Sequence, residues 1–312
     1  MVCRAAVMNA APAAMSSTQT GNVSDNCMNE PKRRNTMTQK IDVQEAAAHC
    51  TLLRADLLKM LNAAGSGHPG GSLSCLDILY VLYNHVMKQD PKNPKWDERD
   101  RFVLSKGHVN PALYVVLADL GYFPKSELMT LRKFGSILQG HPYMHKTPGL
   151  DVSSGSLGQG LSVAAGMAAA TKADGKPNRV YAMMGDGEQE EGEIWEAAMS
   201  AAHFKLDNLC GIVDHNHLQI DGNVEEVMNI EPIADKWRAF GWNVIGIDGH
   251  DYAQILDAFC KAQECKGKPT VIIAETVKGK GVSFMENQAG WHGAAPNDEQ
   301  LQQALKELGQ EG

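Results

Sequence analysis

From Ile41 the apolar positions recur at helical spacing over residues 41–63, and Gly65 supplies a stop. A second helix is predicted over 74–86, broken afterwards by Asp90-Pro91 and Asn93-Pro94. Residues 102–105 form a short apolar run suited to a buried strand. Four more such runs follow, at 180–184, 209–213, 243–247 and 270–275. Between them lie segments of helical pattern at 193–205, 233–240 and 252–263, and the tail LQQALKELGQEG reads as a helix running to a Gly ending. Short continuous apolar strands alternating with helices predict an α/β fold, a parallel sheet with helices on both faces. Ligands of such sheets sit at the carboxyl ends of the strands.

The first forty residues lack either period. They read as a disordered leader, or as sequence upstream of a start at Met37. The expected organisation is therefore a leader over 1–40 and one domain over 41–312. A 43% apolar composition supports a substantial core in 312 residues. The net charge of -8, with no block of Lys and Arg, argues against a nucleic-acid partner. The longest membrane candidate, 161–170, is small-residue rich and falls short of the roughly 18 residues a spanning helix needs. Seven scattered cysteines without a C-x-x-C pair suggest neither a disulfide framework nor a zinc site, so a reduced, cytoplasmic setting is expected.

Asp186 and Asn216 each follow a predicted strand, in MGDG and VDHNHL. One helix and one strand separate them, so a crossover should bring both side chains to one sheet edge. A carboxylate, an amide oxygen and a nearby backbone carbonyl make a hard-oxygen set that suits Mg²⁺ or Ca²⁺ rather than zinc. Gly185 and Gly187 would let a phosphate approach the backbone closely. The same stretch crowds in Glu188, Glu190, Glu191, Glu193 and Glu196. On the residues alone, Glu188, Glu190 and Glu193 read as the solvated start of a helix, where acidic groups complement the dipole. Cys75 and Cys210 read as small core residues. His68, His108, His141 and His292 could each be ordinary surface or core histidines, and Lys278 and Lys280 a solvated pair. His141 and His145 are four apart, but Pro142 and Pro148 argue against a helix that would make them a metal pair.

The GDG turn followed about thirty residues later by the Asn of DHNHL resembles the thiamine-diphosphate-binding motif. The resemblance narrows to the transketolase family, in its N-terminal, diphosphate-binding half, and covers about 45–300. It is carried by SGHPGGS at 66–72, LSKGH at 104–108, QGHP at 139–142, SGSLGQG at 154–160, GDGEQEEGEIWEA at 185–197, LDNLCGIVDHNHL at 206–218, and TVKGKG and WHGAAP at 276–281 and 291–296. It implies that Asp186 and Asn216 bind a divalent metal by side chain and Leu218 by its carbonyl. Mg²⁺ is expected, with Ca²⁺ or Mn²⁺ as substitutes. Gly187 would donate its N–H to the diphosphate beside Asn216, and His108, Lys278 and His292 would surround the phosphates and the thiazolium. Gly155, Ser156 and Leu157 would hold the aminopyrimidine, with Glu191 contributing to the cofactor site. His68, His141 and His292 would line the substrate channel. Glu191, with Glu196 beside it, would belong to a carboxylate relay between two active sites.

The activity so implied is transfer of a two-carbon ketol unit from a ketose phosphate to an aldose phosphate. In the family, the glutamate that acts on the aminopyrimidine and the groups gripping the sugar phosphate lie on a separate pyrimidine-binding domain. None of these is expected before Gly312. The expected partner is thus a separately encoded C-terminal subunit, two copies of each chain making a heterotetramer. The same cofactor would also serve a deoxyxylulose-phosphate synthase-like or dihydroxyacetone synthase-like enzyme. A non-catalytic assembly subunit is the remaining alternative. The histidine set and WHGAAP favour transketolase.

Overall fold

A computed structural model describes residues 41–310. The expected leader over 1–40 lies outside the described residues, as does the Gly end of the expected tail helix. The chain runs α1 (Val43–Ala64), α2 (Pro69–Val81), β1 (Arg101–Leu104), α3 (Asn110–Leu120), α4 (Gln159–Ala173), β2 (Val180–Gly185), α5 (Gly192–His203) and β3 (Leu209–His215). It continues through α6 (Val224–Val227), α7 (Ile233–Ala239), β4 (Asn243–Asp248), α8 (Tyr252–Glu264), β5 (Thr270–Glu275) and α9 (Asp298–Glu307). The five strands form one parallel sheet in the order β1-β2-β3-β5-β4.

Alternate residues of each strand feed two cores, as a sheet covered on both faces requires. Phe102, Leu104, Tyr181, Met183, Cys210, Ile212, Ile272 and Ala274 join α1, α2, α3, α8 and α9 on one side. Val103, Ala182, Met184, Val213, Val271 and Ile273 join α4, α5 and α7 on the other. The connections β2–α5–β3 and β3–α7–β4 advance across the sheet on one face, whereas β4–α8–β5 returns on the opposite face. That reversal is what right-handed crossovers demand when the direction of travel changes. Cys75 and Cys210 are core residues, as expected.

The expected strands stand with ends moved by a residue or two. The helices differ more, and α3 and α6 have no counterpart among the expected segments. The second helix begins at Pro69, five residues before the expected start at Ser74, and its last turn, Leu82–Val86, is a π-turn. Gly70 and Gly71 lower local helix propensity, yet Pro69 is preorganised for a first turn and tertiary contacts need the glycines. A Cβ on Gly70 would lie 2.9 Å from the Trp291 carbonyl oxygen and 3.0 Å from Lys278 Cγ. The run at 161–170 is the middle of α4, which packs Leu161, Ala164, Ala165 and Ala168 on the second core. Among the described residues no helix is long and apolar enough to cross a membrane.

Candidate active site

The strand ends define the site. Successive residues after β1, β2, β3 and β5 are Ser105–His108, Asp186–Glu188, Asn216–Leu218 and Thr276–Lys278, all at the carboxyl edge. The register Gly185↔Asp214 and His215↔Glu275 places the last residues of neighbouring strands side by side.

A buried ion pair anchors this edge. Lys106 donates to Asp214, which also accepts from Ser74 Oγ at 2.5 Å and from the Thr276 hydroxyl. Burial alone would neutralise both partners. The Lys106 ammonium holds the Asp214 carboxyl below its usual range, and Asp214 in turn raises Lys106. Asn216 turns its Nδ2 toward Asp214 Oδ2 at 3.4 Å. Asp214 only accepts, so the Asn216 amide is oriented with Oδ1 on the other side, where it accepts from Leu218 N–H at 3.2 Å.

Asp186 is buried between two groups. His215 Nδ1 lies 2.6 Å from its Oδ1, and the His217 N–H donates to its Oδ2 at 2.6 Å. Burial pushes its carboxyl upward against the pull of His215, whose own pKa is raised to about 9, chiefly by its bond to Asp186 acting against burial. The expected cation ligands, Asp186, Asn216 Oδ1 and the Leu218 carbonyl, thus come from two adjacent strand ends.

Opposite them, three imidazoles converge. The ring centroids of His68 and His108 are 5.1 Å apart, those of His68 and His292 5.5 Å, and His108 stacks on His292 at 5.1 Å. Burial holds all three below the usual histidine range, His68 and His292 at about 4, with neighbouring positive groups adding to the effect. They are therefore neutral near pH 7, each able to donate at one nitrogen and accept at the other. His68 Nδ1 is buried with no hydrogen-bond partner among the described residues. Lys278 is 2% exposed and its ammonium sits 3.0 Å from His292 Nδ1, a neutral ring. Burial first, and then Lys106, bring Lys278 down from 10.5 to about 8. A buried ammonium against an uncharged partner and an unpaired imidazole nitrogen leave unmet demand for an anionic acceptor. A diphosphate meets that demand, and the oxygen set beside it suits the cation that would accompany it, so the residues fit both groups.

The loop 154–160 completes the wall. Ser154 Oγ donates to the Leu104 carbonyl at 2.6 Å, and the Gly160 N–H donates to Ser105 Oγ at 3.1 Å. Gly107 meets Gly155 backbone to backbone, and a Cβ there would lie 2.9 Å from Gly155 Cα. Gly155, Ser156 and Leu157 are thereby held beside the LSKGH turn, and the His141 ring packs against Gly155.

Glu188 contradicts the expectation of a solvated helix start. It is 1% exposed, accepts from the Ser105 hydroxyl, from Gly158 N–H at 2.9 Å and from Gly185 N–H at 3.2 Å, and ties the loop to the ends of β1 and β2. The reason is a 3₁₀ turn over Gly187–Glu190 that precedes α5 and turns Glu188 inward. Glu190 is exposed and Glu193 half-buried, bonded to Gln159 and Ser162. Glu191 is exposed at the N-cap position of α5 with no side-chain cap bond, abuts Gly158, and lines a cavity of about 510 Å³ with Trp195, Met228 and Lys236. Glu196 lies exposed further along α5, in the groove beside Ser162, Ala165 and Phe204. Sequence reasoning missed Ser74, Lys106, Asp214 and Thr276 as a unit. Lys106 and Asp214 lie inside LSKGH and VDHNHL, but a pairing across β2 leaves no local pattern.

A parallel sheet that gathers a carboxylate, an amide, a buried lysine and neutral imidazoles at its strand ends has the architecture of a cofactor-binding α/β domain. Residues 44–312 match the family model described as transketolase, thiamine diphosphate binding domain. The chain belongs to that family. It is 48% identical over 274 residues to the 6-deoxy-6-sulfo-D-fructose transketolase subunit of Clostridium sp. strain MSTE9, covering 88% of this chain and 98% of that protein. It is 47% identical over 255 residues to an apulose-4-phosphate transketolase subunit of Phocaeicola vulgatus, covering 82% and 90%. The crystal structure of Campylobacter jejuni transketolase superposes with a TM-score of 0.80 at 36% identity, over 88% of this chain. The chain spans 44% of that larger protein.

Proposed function

We propose that this chain is the N-terminal subunit of a two-chain transketolase, moving a two-carbon ketol unit from a ketose phosphate to an aldose phosphate. The observation that carries the reading is the convergence of neutral His68, His108 and His292 on buried Lys278, opposite Asp186 and Asn216. Thiamine diphosphate, when bound, supplies the electron sink. Lys278 and His108 hold its phosphates, with the Gly187 N–H. Asp186, Asn216 Oδ1 and the Leu218 carbonyl hold Mg²⁺, and Ca²⁺ or Mn²⁺ suit the same oxygen donors. Gly155, Ser156 and Leu157 position the aminopyrimidine by main chain. His68, His141 and His292, uncharged, exchange hydrogen bonds with the sugar's carbonyl and hydroxyls without fixing a charge there. Glu191 and Glu196, both exposed, relay protons toward a second site.

The partner is a separately encoded C-terminal subunit that brings the pyrimidine-binding domain. The reading is supported by relatives of similar length whose names call them transketolase subunits. Those names, for a sulfosugar and for apulose 4-phosphate, favour a donor with an anionic terminus gripped by the partner. The setting expected is cytoplasmic. The test is ketol transfer by the purified chain alone and together with its C-terminal subunit. Activity only in the pair is expected, and transfer by the single chain would sink the two-subunit reading.

A further inference from the structure

Beside Asp186, on the outer flank of the strand ends, the sequence His215-Asn216-His217 carries two imidazoles toward two glutamates. His215 Nε2 lies 3.1 Å from Glu231 Oε1 and 3.7 Å from Glu275 Oε1, and His217 Nε2 lies 2.8 Å from Glu275 Oε2. One nitrogen of each histidine and one oxygen of Glu275 lie within 4.8 Å of one another. We propose that His215 Nε2, His217 Nε2 and a Glu275 carboxylate oxygen form a second divalent-cation site, of the kind that takes Zn²⁺ with water in the fourth position, and that Glu231 borders it on the His215 side. It is distinct from the Asp186–Asn216–Leu218 cation site and does not depend on the transketolase reading.

Three features carry this. Glu275 reaches both imidazoles, Oε2 at 2.8 Å from His217 and Oε1 at 3.7 Å from His215, distances on either side of the ~3.3 Å spacing of donors around a tetrahedral ion with bonds of about 2.0–2.1 Å. His215 Nδ1 is committed to Asp186 at 2.6 Å, so Nε2 is the nitrogen left for a cation. A carboxylate on the far nitrogen is how metal-bound histidines are oriented and made more basic. The donors are also two nitrogens and one carboxylate, with the Glu231 carboxylate beside His215, a set that suits a doubly charged borderline ion, whereas Mg²⁺ prefers an octahedron of oxygens. The frame is rigid on one side, because His215 and Glu275 are register neighbours on β3 and β5. It is open on the other, with the His217 and Glu275 side chains half exposed, which gives an ion its entry path.

The experiment is titration of the full chain with Co²⁺ under excess Mg²⁺, followed by the visible bands of tetrahedral Co²⁺ and by displacement with Zn²⁺. One equivalent should bind despite the Mg²⁺. His217→Ala and Glu275→Gln should each weaken it by more than the roughly 100-fold that loss of a ligand's hydrogen-bond partner costs. Asn216→Ala should retain the equivalent, because that amide serves the other site. Absence of tetrahedral Co²⁺, unchanged affinity in His217→Ala and Glu275→Gln, or its loss in Asn216→Ala would overturn the proposal. Circular dichroism of the variants separates loss of the site from loss of the fold.

Discussion

Glu188 and Asp186 are two residues apart and both buried, yet they do different work, and substitution should separate them. Glu188→Ala removes three hydrogen bonds from a carboxylate 1% exposed. It leaves the Gly158 and Gly185 N–H groups unsatisfied, at a cost on the order of 2–4 kcal/mol. Thermal unfolding should show that loss, and thiamine diphosphate affinity should fall with it as the loop 154–160 loosens. Asp186→Ala also costs stability, because His215 and the His217 N–H lose their acceptor, and its distinguishing mark is that metal-dependent cofactor binding is abolished, read by fluorescence titration with and without Mg²⁺. An unshifted melting temperature for Glu188→Ala would contradict its role as a tie. Lys278 supplies a pH signature. Its folded pKa is depressed from 10.5 to about 8, so the charged form costs stability below pH 8 and that cost fades between 8 and 10.5. Diphosphate binding needs the charged form and must draw a proton from solvent above pH 8. Affinity should therefore drop by up to about tenfold per pH unit there, and calorimetry in buffers of different ionisation enthalpy should register the uptake. Lys278→Arg should flatten the profile, because arginine stays protonated. The placement of Asp186 and Asn216 at one sheet edge was legible because each follows an apolar strand. Glu188 was not, because acidic neighbours and a 3₁₀ turn hide which way one side chain points.

At the level of elements, α1, α2 and α8 are locked together by Asp77. It accepts from Arg54 at 2.6 Å and from Tyr252 at 2.7 Å, and lies 2.8 Å from His250 Nδ1. His250 Nε2 then accepts the Val277 N–H at 2.9 Å, one residue before the buried Lys278. Arg54 chiefly holds the Asp77 carboxyl well below its usual range in spite of burial. Asp77→Ala would leave Arg54 buried without its partner, a loss of about 3–5 kcal/mol. It should be visible in chemical denaturation as a lower midpoint with an unchanged slope. Strands were the readable elements, since runs such as 209–213 are apolar at every position and bounded by polar turns. The start of α2 was not readable, because Gly70 and Gly71 are chosen for what touches them rather than for helix propensity. Neither was α4, whose small residues register weakly as a period although they set how closely it packs on the sheet.

For the whole molecule, the two-faced sheet leaves Met199 and Phe204 of the α5 region and Met228 near α6 exposed at 61%, 64% and 59%. Co-purification with the C-terminal subunit should give, by light scattering, two copies of each chain, and a persistent one-to-one species would count against the heterotetramer. The arrangement as a sheet covered on both faces followed from the alternation of short apolar runs and helices. The strand order did not, because β4 and β5 exchange places without a mark in the hydrophobic pattern. The backbone contact of Gly107 with Gly155 has a kinetic corollary. Two glycines meeting bury almost no apolar surface, so their contact does little to drive collapse and must await the docking of β1 and the loop before α4 by other groups. Closure of such a long-range contact comes late where local helices form early. In a refolding experiment the far-ultraviolet signal should therefore recover first, and the capacity to quench on added thiamine diphosphate should lag behind it. The pocket would then mark the end of folding rather than its beginning.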